Sequence, residues 1–194
     1  KKGGKMTNQI AFQGALGAYS DEACRSARPS MDPLPCQNFE EMIEAVLKGQ
    51  ADLAMVPVEN STYGRVADIH RLLPESGLHI VDEAFRRVRI NLMANPGTAL
   101  EDVKTVRAHL VLLPQAHNFL DQNGIEPVSA ADSAGAAAEL AKSPNPRSGV
   151  LASAIAAEIY GLNILAQNIE DQGHNTTRFL IMSREANHAR RGDG

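Results

Sequence analysis

Short apolar runs of strand length alternate with amphipathic helical segments along almost the whole chain, and this alternation restricts the fold more than any other feature. Gln9 to Phe12 reads as a strand that runs into Gln13-Gly14-Ala15-Leu16-Gly17, where two glycines permit a tight turn. Ser20-Asp21-Glu22-Ala23 then opens a helix with acids in its first turn. The clearest helix spans Phe39 to Lys48. Asn38 stands at its N-cap with Glu41 three residues on, and Phe39, Met42, Ile43, Val46 and Leu47 share one face. Ala51 to Val58 follows as a buried strand, Arg65 to Leu73 as a helix, and Leu78 to Ala84 and Arg89 to Ala94 as strands. Beyond the turn Asn95-Pro96-Gly97 comes a strand at Lys104 to Ala108. The next helix begins near Leu112 or Leu113, because Pro114 fits only a first turn. The remainder keeps alternating: a strand at Glu126 to Ser129, a helix at Ser133 to Lys142, a strand at Val150 to Ala152, a helix at Ala154 to Tyr160, and strands at Leu162 to Ala166 and Arg178 to Met182. Glu185 to Gly194 is polar and expected to fray.

Such a pattern implies an α/β protein with mostly parallel sheets covered on both faces. Roughly eight or more short strands are many for one sheet at this length, so two lobes of similar size are expected. In such folds ligands bind beyond the carboxyl ends of the strands or between lobes.

Composition narrows the function. Apolar residues make up 43 % of the 194 and charged residues 22 %, ordinary values for a chain with a real core. Aromatic residues are 4 %, so aliphatic side chains must fill that core. The net charge is −4 with no long basic run, which argues against a nucleic-acid partner, although a few arginines can still reverse the field in one cleft. No apolar run approaches the ~20 residues that span a bilayer. Lys1-Lys2-Gly3-Gly4-Lys5 has no apolar segment after its charges, so it is read as an expression remnant, with Met6 the natural start and the cytoplasm the default compartment. Cys24 and Cys36 read as two free thiols in a reducing compartment, and neither belongs to a metal-spaced cluster.

Two polar segments stand out. Glu59-Asn60-Ser61-Thr62 follows directly on a buried strand, where a ligand would sit, although Asn and Ser there could merely cap the next helix. Asn175-Thr176-Thr177-Arg178-Phe179 crowds polar side chains against the last apolar strand. Thr is a neutral donor and Arg a fixed cation with a fork suited to carboxylate, yet the same residues suit a turn before a strand, and Arg178 could simply pair with a structural acid. His109 and Gln115 flank a helix start, a place that favours anions. The turn before Ser20 has neither a Walker spacing nor GxGxxG, and the chain lacks a GxSxG elbow and an HExxH motif. A reaction without cofactor or metal, or no reaction, is therefore expected.

Taken in order, these segments resemble the prephenate dehydratases and the related arogenate dehydratases. The resemblance is carried by Phe12-Gln13-Gly14 through Tyr19-Ser20, Pro57-Val58-Glu59-Asn60-Ser61 with Gly64, and Ala108-His109 with Gln115. It continues through Ala152-Ser153 to Tyr160-Gly161-Leu162, Ile169-Glu170-Asp171 and Asn175-x-Thr177-Arg178-Phe179. The chain departs from the family at Ala108-His109-Leu110, where Ser-His-Pro is usual, and at Ala116, where Cys is usual. The resemblance implies a periplasmic-binding-protein type II-like fold with an interlobe cleft. Lobe 1 would take about 6–84 plus 173–186 and lobe 2 about 85–172, with hinges near Phe85 and Gln172. It implies decarboxylative dehydration of prephenate to phenylpyruvate, in L-phenylalanine biosynthesis, by a homodimer or homotetramer. A phenylalanine-binding ACT domain would begin where this chain ends.

By the same resemblance Thr177, Glu59, Asn60 and Gln115 are the catalytic candidates. Arg178, Ser61, Thr62, His109, Ser20, Phe179 and Asn175 are the substrate-binding ones. Thr177 would serve the departing hydroxyl, with Glu59 or His109 as the ultimate proton source. Arg178 would hold the side-chain carboxylate, and Asn60 and Gln115 would orient the ring. The alternatives are arogenate dehydratase and a non-catalytic small-anion-binding module on the same fold.

Overall fold

The computed structural model describes residues 6–186, so the expected remnant at 1–5 and most of the polar C-terminal stretch lie outside the described residues. In chain order the first elements are β1 (Gln9–Gln13), α1 (Tyr19–Ala27), β2 (Asp32–Cys36), α2 (Phe39–Leu47), β3 (Leu53–Asn60), β4 (Gly64–Arg65), α3 (Ala67–Leu72) and β5 (His79–Arg87). Next come β6 (Asn91–Ala94), β7 (Thr105–His109), α4 (His117–Gln122), β8 (Glu126–Ala130), α5 (Ser133–Lys142), β9 (Ser148–Ala152), α6 (Ala154–Tyr160) and β10 (Asn163–Ala166). The last is β11 (Thr176–Ser183). They form two units. Residues 6–15, 20–87 and 175–186 make the first, and Leu16–Tyr19 with Val88–His174 make the second.

The sheet of the first unit runs β2-β1-β3-β11-β5, with β4 beside β3. β1 pairs parallel with β2 and β3, the product of helical crossovers. β11 reaches this sheet after the second unit is complete and runs antiparallel to both β3 and β5. The second sheet runs β10-β6-β9-β7-β8. There β7 is parallel to β8 and β9, while β6 is antiparallel to β9 and β10. The sheets are thus more antiparallel than the sequence alternation implies, because each takes in strands that connect the units.

The alternation of side chains along β11 and β5 positions the site. Thr177, Phe179 and Ile181 pair with Arg86, Ala84 and Asp82 and share one face. Arg178 and Leu180 pair with Phe85 and Glu83 and take the opposite face. α1 covers the Thr177 face, since Arg86 donates to Ser26 Oγ at 3.0 Å and to Glu22 Oε1 at 3.4 Å, and Arg28, just past the helix, binds Asp82 at 3.0 Å. α2 and α3 cover the other, where Met42, Ile43, Val46, Val56, Ile69 and Leu180 form a core cluster. Each such side chain contributes about 1.5–3 kcal/mol by leaving water. In the helix that the capping residues predict, Asn38 Oδ1 accepts from Glu41 N at 2.8 Å, and Glu41 reaches back to Gln37 N at 2.8 Å. Leu47 departs from the expected apolar face and is 48 % exposed.

In the second unit Ile90, Leu92, Val106, Leu120 and Leu151 form one cluster. Across the sheet, Ala136, Ala137, Ala156 and Ala157 pack with Met93 and Val150, small side chains that let α5 and α6 approach closely. The segment Leu16–Tyr19 belongs here although its neighbours on both sides belong to the first unit. Ser153 Oγ donates to Gly17 O at 2.7 Å, Tyr160 OH to Leu16 O at 2.5 Å, and Tyr19 OH to Arg89 O at 2.7 Å. Gly17 has φ +92°, and a Cβ there would lie 3.1 Å from Ala156 Cα and Tyr160 Cε2. The chain therefore passes between units four times, at residues 15–16, 19–20, 87–88 and 174–175. The expectation has two passages, near Phe85 and Gln172. Cys24 and Cys36 are free and buried, and burial pushes both thiols above their ordinary range.

Candidate active site

Asn60 ends β3, and its amide is fully committed. Its Oδ1 accepts the backbone N–H groups of Thr62 at 2.9 Å and Tyr63 at 3.0 Å. Those two donors fix which end of the amide is oxygen. Nδ2 then donates to Asn175 Oδ1 at 2.7 Å and to Thr177 Oγ1 at 3.0 Å. Thr177 is also the register partner of Asn60 across β3 and β11. With Asn60 filling an acceptor position, the hydroxyl proton of Thr177 is directed to another partner. Ser61 fastens the two segments, since its N–H donates to Thr176 O at 2.9 Å and its Oγ accepts from Thr176 N at 2.8 Å. Asn175 is buried, while Thr62 is exposed and bonds Asn60 through its backbone.

Glu59 and Arg178 stand apart from this cluster. A register shift between Arg178 and Phe179 places Glu59 opposite Arg178. Arg178 donates from Nε to Glu83 Oε2 at 3.1 Å, and its Nη2 lies 3.0 Å from the same oxygen. Arg178 and Thr177 present their side chains to opposite faces of the sheet, although they are neighbours in sequence. Phe179, expected to touch substrate, is 2 % exposed and packs as a core residue. Ser20 lies in the first turn of α1, two residues before Glu22.

Sequence reasoning missed Arg86 and Glu22. Arg86 is the register partner of Thr177 on β5 and shares its face. Its Nη1 donates to Ser26, and its Nη2 to Glu22 Oε1 at 3.4 Å, while Nε is buried and without a hydrogen-bond partner. An unpartnered buried donor costs about 1–3 kcal/mol. Burial pushes the Glu22 carboxyl above its ordinary value, against the pull of Arg86. Strand length hides them: a strand that stops at Ala84 does not carry its alternation to Arg86, whereas β5 runs on to Arg87.

In the second unit His109 ends β7. Its N–H donates to Ser133 Oγ at 3.0 Å and its Nδ1 accepts from Val111 N at 3.2 Å. A neutral ring therefore carries its proton on Nε2. The expected helix start near Leu112 is a 3₁₀ turn over Leu113–Ala116, and α4 begins only at His117. Gln115 sits in that turn, where its Nε2 donates to Val111 O at 2.9 Å and its backbone carbonyl accepts from Asp171 N at 2.7 Å. Among the described residues no cluster of three His, Cys, Asp or Glu side chains could hold a metal.

Two α/β units, with the last strand returning between β3 and β5 of the first, define a protein of the periplasmic-binding-protein type II-like fold. Its polar residues gather where β3 ends and β11 begins. The prephenate dehydratase family model matches residues 10–187, and the chain belongs to that family. It is 50 % identical to the bifunctional N-acyl-homoserine lactone acylase/prephenate dehydratase of Komagataeibacter europaeus, over 90 % of this chain and 62 % of that protein. It is 41 % identical to arogenate dehydratase 2 of Petunia hybrida, over 91 % of this chain and 45 % of that protein. A prephenate dehydratase from Arthrobacter aurescens, solved in complex with L-Phe, superposes with a TM-score of 0.81 at 30 % identity, over 91 % of this chain and 60 % of that one. The chain thus spans under two thirds of the length of these relatives. No helix among the described residues is long and apolar enough to cross a membrane.

Proposed function

We propose that this chain carries out the decarboxylative dehydration of prephenate to phenylpyruvate, a lyase reaction of aromatic amino-acid biosynthesis. The observation that carries the reading is the bond from Asn60 Nδ2 to Thr177 Oγ1, which leaves the threonine proton free to serve a departing hydroxyl. Prephenate is a dianion with a carboxylate and a hydroxyl across one ring. The C–C bond to the ring carboxylate breaks, its electron pair enters the ring, and the C–O bond breaks opposite. The products are carbon dioxide, water and the phenylpyruvate monoanion, with one proton consumed. Hydroxide leaves poorly at neutral pH, so a hydrogen bond or proton at that oxygen is the main demand on the protein.

Thr177 supplies that hydrogen bond, and Asn60 and Asn175 hold it in place beforehand. Such preorganisation costs nothing when the charge develops. Because a threonine hydroxyl is a weak acid, the proton consumed must come through it from a titratable group. The test is incubation with prephenate while following phenylpyruvate absorbance in alkali. Thr177→Ala should lower kcat by about 10²–10⁴-fold with little change in substrate binding. If the unaltered chain yields no phenylpyruvate, the reading fails.

The 41 % identity to an arogenate dehydratase supports a second substrate of the same chemistry, with an ammonium in place of the keto group. Relative kcat/KM for the two decides which is preferred. The acylase named for the 50 % identical relative is a separate assay on the same preparation.

A further inference from the structure

Arg178 is the arginine that the sequence offers for holding the substrate's side-chain carboxylate, but its guanidinium binds Glu83 on the face of the sheet away from Thr177. On the Thr177 face the register places a different cation. Arg86 stands directly across from Thr177 on the neighbouring strand, and directly opposed residues have Cβ atoms about 4.5–5.5 Å apart. We propose that Arg86 is a substrate-binding residue that selects the α-keto acid prephenate over the zwitterionic arogenate. The inference rests on the dehydratase reading above and assigns that site its specificity.

Three features support it. The Arg86 side chain is 38 % exposed although its Nε is buried, whereas Glu22 beside it is 18 % exposed. The head is loosely held for a structural arginine: one terminal nitrogen reaches Glu22 only at 3.4 Å, the other reaches the exposed Ser26, and Nε has no partner. An arginine presents five N–H donors in a planar fork, and each terminal nitrogen makes one of these contacts for its two N–H groups, so capacity for a ligand remains there. The chemistry also discriminates. An α-keto acid offers a ketone and a carboxylate oxygen side by side, an acceptor pair that matches the fork and carries negative charge. Arogenate offers an ammonium at the same carbon, which a guanidinium repels. Glu22 serves as the resting counterion. Burial weakens its hold by favouring the neutral acid.

The experiment compares kcat/KM for prephenate and arogenate in the unaltered chain and in Arg86→Leu, Arg86→Lys, Glu22→Gln and Arg178→Leu. Binding of both compounds is measured by calorimetry on the Thr177→Ala background, and circular dichroism confirms folding. Arg86→Leu should lower kcat/KM for prephenate about 10–100-fold, mostly through KM, and change that for arogenate by less than about threefold. Arg86→Lys should restore part of the preference, because charge returns without the fork. Glu22→Gln should leave prephenate favoured. Equal losses for both substrates in Arg86→Leu would overturn the proposal, as would an unchanged ratio or a preference that follows Glu22 or Arg178. If the unaltered chain turns over neither compound, the dehydratase reading fails. The calorimetric ratio then still decides whether Arg86 distinguishes keto acid from amino acid.

Discussion

Asn60 and Thr177 face each other across β3 and β11, and the amide of one occupies an acceptor position on the hydroxyl of the other at 3.0 Å. Asparagine is required in that order of donors and acceptors. Aspartate at 60 would still accept from Thr62 and Tyr63, but it would offer oxygen to Thr177 and draw its proton inward. Asn60→Asp should therefore lower kcat about 10²-fold or more while moving KM less than about threefold, in steady-state kinetics with prephenate. Near-normal turnover in that variant would remove Asn60 from the machinery.

Arg178→Leu should act on stability alone. Its ion pair with Glu83 is exposed on both sides, 42 % and 48 %, and such pairs contribute about 0–1 kcal/mol. The midpoint of urea unfolding should fall slightly and KM for prephenate should stay within about threefold. A rise in KM matching that of Arg86→Leu would return the anion-holding role to Arg178.

Two carboxylates should shape the acid side of the stability curve in opposite senses. Burial raises Glu22 in the folded chain, so folding retains a proton that the unfolded chain releases. That contribution is complete below the ordinary glutamate value and is lost as pH rises through the folded one. Asp82 is lowered, chiefly by its bond from Arg28, so its contribution is present above the ordinary aspartate value and lost as pH falls through the folded one. Melting temperatures across acid to neutral pH should decline less with rising pH in Glu22→Gln, and less with falling pH in Asp82→Asn. Parallel curves for all three proteins would contradict both assignments.

Gly17→Ala should destabilise the protein by about 1–3 kcal/mol, because the residue needs φ +92° and a Cβ would press on Ala156 and Tyr160. Ser153→Ala should cost about 0.5–1.5 kcal/mol by removing the hydrogen bond from its hydroxyl to Gly17 O. Denaturant midpoints measure both, and neutrality of the pair would mean that the loop does not depend on these contacts.

Much of this was legible beforehand, for identifiable reasons. α2 was readable because Asn38, Glu41 and the apolar spacing of Met42, Ile43 and Val46 all agree. β2 was not, since Asp32-Pro33-Leu34-Pro35-Cys36 carries two prolines that disfavour a strand; the sheet accepts them because β2 is an edge paired only to β1. At the site, the polar types at 59–62 and 175–178 marked two segments that the fold joins through Asn60, Ser61, Thr176 and Thr177. Side-chain direction was beyond reach without the register of β11. Adjacent residues of one motif, Thr177 and Arg178, look like partners in sequence and are separated by the thickness of a sheet.

The excursion of Leu16–Tyr19 has a practical consequence for anyone who would divide this protein. Neither unit is a contiguous stretch of sequence. A gene fragment encoding residues 88–174 would express a second unit stripped of a four-residue piece inherited from the start of the chain. The hydroxyls of Ser153 and Tyr160 would lose the carbonyls they now serve. A faithful minimal version has to graft residues 16–19 back on, and the first unit has to bridge the gap they leave between β1 and α1.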